Sequence, residues 1–149
     1  SGTSDKERNY IQENEITPLN SFFEEKKKEG LLKADFNFTF ISVNKKTEAK
    51  FFEKDVNGFL KNPNEGTVVD SQVTLNGVTE FYLQAQYVNQ GCANPSHYVV
   101  LYDDAKIDLK NLEAITFKLC YYYWVWNGAI KMPSVLKMAE KANKFTLDI

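Results

Sequence analysis

The carboxylates best placed by composition to do chemistry are Asp70 and the adjacent pair Asp103-Asp104. Clustered acids can hold a divalent cation against a phosphate. Each of the three, however, ends a short apolar run, where an acid also serves to close a strand. His97, the one histidine, opens an apolar run and reads as a packed or internally bonded side chain rather than a catalyst. Cys92 and Cys120 have no metal-ligand spacing, and a single possible pair is no disulfide framework, so a reducing compartment is expected. The remaining chemistry is basic and almost entirely lysine, Arg8 being the only arginine. With 18 basic against 20 acidic side chains the net charge is −2, which argues against a general polyanion binder. Any nucleic-acid site must therefore be a local cluster of lysines, side-chain amides and backbone N–H groups.

The elements that would position such groups follow from periodicity. Residues 4–29 read as helix, with Ser4 as N-cap, Pro18 breaking or restarting it, and Gly30 as a stop. Residues 36–43 alternate as a strand, residues 55–66 form an Asn/Gly/Pro-rich loop, and residues 67–70, 79–87 and 97–102 are further strands. Asp108 caps a long helix that carries Leu112, Ile115, Leu119, Tyr122 and Trp126 on one stripe and Phe117, Cys120 and Trp124 on another. A helix apolar on so many sides is expected to be buried, and Asn127-Gly128 to end it. Pro133 then opens a last helix over residues 134–145. Apolar content of 43% and aromatic content of 14% across 149 residues allow a real core. No apolar run reaches the length of a membrane span. Helices flanking several strands indicate an α/β layer with a mixed sheet.

The stretch Ile115-Thr116-Phe117-Lys118-Leu119-Cys120, an aromatic run, then Trp126-Asn127-Gly128-Ala129-Ile130-Lys131-Met132-Pro133, resembles the C-terminal part of the PIWI domain of Piwi-type Argonaute proteins. There it reads Leu-Thr-Tyr-Lys-Leu-Cys, aromatics, Trp-x-Gly-x-Ile-Arg-Val-Pro. Further pieces are similar in order and spacing: Ile41 to Lys46 with Ala49-Lys50-Phe51-Phe52, Asn62-Pro63 to Asp70, Glu80 to Leu83 with Gln90-Gly91, and Pro95 to Asp104.

The resemblance implies the C-terminal portion of an RNase H-like PIWI domain over residues 1–149, a fragment of a longer protein or one chain of a split one. It implies binding of a small guide RNA paired to a target RNA within a silencing complex, in the nucleus or cytoplasm, away from membranes. Partners would be those RNAs, the upstream MID and PIWI segments, and silencing-complex proteins. Active family members cut the target with two metal ions held by carboxylates and a His or Asp. Two of those positions would fall at Ser1 and Glu140. Serine brings no negative charge, and the longer arm of glutamate would displace an ion, so recruitment without cutting is expected. No cofactor is expected, Mg²⁺ entering only at the guide 5′ phosphate or if the chain were to cut. In the family the positions of Asp70, Asp103 and Asp104 are structural. The expected RNA contacts are Lys45, Lys46, Lys50, Gln86, Gln90, Tyr123, Lys131, Lys137 and the C-terminal carboxylate of Ile149. Where relatives grip phosphates with two arginines this chain has Asn94 and Phe145. The alternatives are an active slicer endonuclease and a protein-interaction scaffold that presents Trp124, Trp126 and the tyrosines.

Overall fold

The computed structural model describes residues 5–75 and 77–147. The first segment is one continuous rod made of α1 (Asp5–Ile11), a π-helical turn (Gln12–Ile16) and α2 (Thr17–Lys28). Pro18 does not break it, because the wider turn just before it takes up the strain: Thr17 gives both its N–H and its hydroxyl to the carbonyl of Gln12. Gly30, at φ 72°, ends α2 as expected, with Gly30 N–H on Lys27 O and Leu31 N–H on Lys26 O. The capping role expected of Ser4 lies outside the described residues.

Among the described residues four strands form the sheet: β1 (Thr39–Asn44), β4 (Thr67–Val69), β5 (Glu80–Gln84) and β6 (Ser96–Asp103), in the order β1-β6-β5-β4 with each of these pairings antiparallel. Strand β1 starts three residues later than the alternation predicted. Phe36 and Phe38 are drawn instead into a ring cluster with Phe23 of α2, and Phe38 stacks on Tyr102 at 4.8 Å. A separate hairpin of β2 (Glu53–Lys54) and β3 (Leu60–Lys61) occupies part of the predicted loop. Asp55 builds its turn by accepting the N–H groups of Asn57 and Phe59 at 2.8 Å.

The core lies where β5 and β6 meet α3 (Leu109–Leu119). Phe81 and Tyr98 are cross-strand partners stacked 4.9 Å apart, and Leu83, Leu112 and Cys120 close around them. Burial pushes the Cys120 thiol up to about 12. The other face of β5 is also covered. There Glu80 accepts Leu75 N–H and meets His97 Nε2 at 3.0 Å, and the His97 ring stacks on Tyr82. His97 is thus an internal partner. Gly66, at φ 81°, cannot be replaced without displacing the Phe117 ring, which lies 2.9 Å from where a Cβ would sit.

Asp108 caps α3 through Lys110 and Asn111 N–H, as expected. The helix does not run on to Asn127-Gly128. It stops at Leu119, because Ile130 returns to give its N–H to the carbonyl of Cys120 at 2.9 Å. Aromatic and β-branched residues hold a helix poorly without packing, and here they lack it. Tyr122, Trp124 and Trp126 are 67%, 83% and 60% exposed, so the predicted buried helix face is instead an open loop. Gly128, at φ 145°, belongs to that loop. Pro133 then presents its carbonyl to Leu136 and Lys137, and α4 (Ser134–Leu147) follows.

Candidate nucleic-acid interface

Three segments meet at one end of the sheet: the turn after β1, the turn before β6 and the approach to α4. Asn44 Oδ1 accepts Lys46 N–H and shapes the first turn. Thr47 hydroxyl donates to Pro95 O at 2.9 Å and to Asn94 Oδ1 at 3.2 Å, fastening the first segment to the second. Buried Ser96 donates to Lys131 O at 3.0 Å, fastening the second to the third.

These ties bring Lys45, Lys50 and Lys131 into one neighbourhood. The half-buried Lys131 ammonium has a lowered pKa, first because it is poorly hydrated and then because Lys50 and Lys45 repel it. Glu140 on α4 pairs with Lys45 through one carboxylate oxygen and with Lys137, at 3.6 Å, through the other. Hydrogen bonding from Lys45 holds the Glu140 carboxyl below its ordinary range. Two ammonium groups therefore share a single carboxylate, with Lys50 and Lys131 adding positive charge nearby. Lys46, in the same turn, and Lys50 are exposed. Such a group offers charge-assisted hydrogen bonds to phosphate oxygens.

The glutamines sit in the turn beyond β5. Gln86 is half-buried, its carbonyl taking Gln84 Nε2–H at 2.6 Å, and Gln90 is exposed. Asn62 anchors this turn by donating to Val88 O and Gly91 O and accepting Ala93 N–H. The turn runs directly into Asn94 and Pro95, so the glutamines and the lysines border one stretch of backbone. Tyr123 is buried, and Lys141 Nζ lies 5.2 Å from its ring centroid. The ring supports Lys141, a basic residue the motif comparison did not single out. Its signal was its position four residues after Lys137, on the same face of a helix. Ser1 and Ile149 lie outside the described residues.

The acids that looked catalytic are tied elsewhere. Asp70 Oδ2 takes Lys110 Nζ–H at 2.6 Å, and that bond lowers its pKa. Lys110 also reaches the buried Glu113 at 3.2 Å. Asp103 accepts Thr39 hydroxyl at 2.7 Å, and Asp104 N–H donates to Phe38 O. Among the described residues no three His, Cys, Asp or Glu side chains converge as a metal cage. Glu140 faces ammonium groups, the opposite of what a divalent cation needs from a ligand set. No helix among the described residues is long and apolar enough to cross a membrane.

Comparison with known proteins bears on this arrangement. The family model described as the Piwi domain matches residues 1–147. Piwi-like protein 1 of Gallus gallus is 39% identical over 109 residues, which is 72% of this chain and 12% of that protein. The crystal structure of Drosophila Piwi superposes with a TM-score of 0.73 at 29% identity, covering 90% of this chain and 18% of that one. Kluyveromyces polysporus Argonaute, solved with a guide RNA, superposes at 0.70 with 26% identity over 89% of this chain and 16% of its own. The chain spans about an eighth of the length of the curated relatives it matches.

Proposed function

The chain belongs to the Piwi domain family, with the α/β fold of the RNase H-like PIWI lobe, and from that premise we propose that its lysine-bearing edge grips the sugar–phosphate backbone of a small guide RNA. The observation that carries this reading is the convergence of Lys45, Lys50 and Lys131. A related Argonaute solved with a guide RNA supports the ligand class. Lysines and amides bind phosphates without reading bases, so target choice falls to base pairing between guide and target RNA. The chain acts as the C-terminal part of a PIWI domain beside the remainder of such a protein and silencing-complex partners, within the nucleus or cytoplasm.

The proposed complex recruits rather than cuts. Glu140, at a position where cutting relatives are expected to place a metal ligand, neutralises Lys45 and Lys137 instead. Sequencing of RNA co-purified with the native complex tests the binding: small RNA of uniform length is expected, and its absence overturns the reading. Incubation of the loaded complex with a complementary RNA and Mg²⁺ or Mn²⁺ tests the rest. A defined cut opposite the guide would identify a slicer. A protein-docking scaffold is the second reading, drawn from the exposed Tyr122, Trp124 and Trp126. It gains if the complex carries proteins and no RNA.

A further inference from the structure

Beyond the lysine edge, a cleft of about 400 Å³ opens between the β2–β3 hairpin and the turn after β5. That volume lies within the range of small-molecule sites, roughly 300–1,000 Å³. Two aromatic residues line it, Phe52 and Tyr87, and both are substantially exposed. Among the described residues neither ring packs against another aromatic ring. Phe51, one residue earlier, is the packing member of its pair, its ring meeting Tyr82 edge to face with centroids 5.4 Å apart. Asn62 spends its whole amide on the cleft wall, holding Val88, Gly91 and Ala93 in place. The side-chain amides of Asn64 and Asn89, by contrast, border the cleft in exposed positions. Exposed rings beside exposed amides match the requirements of a heteroaromatic base: a surface to stack on, and donor–acceptor pairs for its edge.

We propose that this cleft receives one unpaired nucleobase of the bound RNA, stacked on Phe52 or Tyr87 and bonded at its edge by Asn64 or Asn89. The inference rests on the RNA-binding reading above. It adds a base-contacting subsite to an edge that otherwise contacts only phosphates. Tyr87 and Asn89 sit between Gln86 and Gln90 in the same turn, which leads on to Asn94 and Pro95, the residues tied to the lysine-bearing turn through Thr47. Stacking tolerates any base, so the subsite favours unpaired over paired nucleotides without specifying sequence.

The test uses the full chain in its native complex, with single-stranded oligoadenylate carrying one 2-aminopurine, and the same strand with an abasic site at that position. Binding is expected to quench the 2-aminopurine, and the abasic strand to bind about fivefold more weakly or worse. Phe52→Leu and Tyr87→Leu keep apolar area without a ring, and at least one of them should erase the quenching and the difference between strands. Lys45→Ala should weaken both strands equally. Thermal midpoints of the variants report that the fold is intact. If both strands bind equally, or quenching survives in both leucine variants, the cleft holds no base and only this inference falls. If neither strand binds, the RNA-binding reading falls with it.

Discussion

Two three-residue charge clusters, on different parts of the fold, are built with opposite arithmetic. In one, a single ammonium, Lys110, sits between two carboxylates, Asp70 and Glu113. In the other, a single carboxylate, Glu140, sits between two ammoniums, Lys45 and Lys137, with Lys50 and Lys131 close by. The first joins the end of β4 to α3 and is internally directed: Glu113 is buried, and burial raises its pKa despite Lys110. The second joins β1 to α4 across a partly exposed surface and leaves positive charge unspent. Both are ion-pair triads, yet only the second carries the surplus positive charge that attracts a polyanion. The lesson is that surplus charge and exposure, rather than the mere presence of ion pairs, separate a binding edge from a structural tie.

That contrast can be broken most directly by removing the surplus. The triple variant Lys45→Ala, Lys50→Ala, Lys131→Ala is expected to weaken RNA binding about tenfold or more, and to flatten the slope of log affinity against log salt by about two. Filter binding across a salt series measures both, and an unchanged slope would dissolve the distinction between the clusters. Next in size, Lys110→Ala should lower the thermal midpoint by a few degrees, because buried Glu113 loses its counter-charge, while RNA affinity stays put. A loss of affinity in that variant would mean that the acidic cluster also serves binding.

Glu140→Gln sharpens the comparison further. It frees Lys45 and Lys137 from their internal anion, and a gain in RNA affinity of about two- to fivefold is expected from one net charge. Weaker binding would show that Glu140 positions the lysines rather than competing for them. The smallest effect concerns pH. The raised pKa of Glu113 makes its contribution complete at low pH and lost as pH rises through that value. The lowered pKa values of Asp70 and Glu140 make theirs present near neutrality and lost as pH falls through those values. Thermal melts should therefore show a shallow stability maximum at mildly acidic pH, moved upward in Lys110→Ala, where nothing opposes the desolvation of Glu113.

Much of the scaffold was legible from local pattern. Alternation marked β5, an apolar run marked β6, Asp108 marked the start of α3, and Gly30 marked the end of α2. Each of these rests on interactions within a few residues. The aromatic run from Tyr121 to Trp126 was misread because its spacing suits a helix, while the event that ends the helix is a hydrogen bond from Ile130 to Cys120, ten residues away. The β2–β3 hairpin was missed because strands of two residues carry no period to detect.

The candidate site divides along the same line. Local sequence determined that positive charge had to come as scattered lysines, since there is one arginine and the net charge is −2. The order and spacing of its motifs also determined the family. Only the tertiary structure decided that Lys45, Lys50 and Lys131 face one neighbourhood while Lys110 is consumed by two acids. Residue type sets a charge, but the Coulomb energy between charges depends on distance in space, and distances across the fold are set by packing.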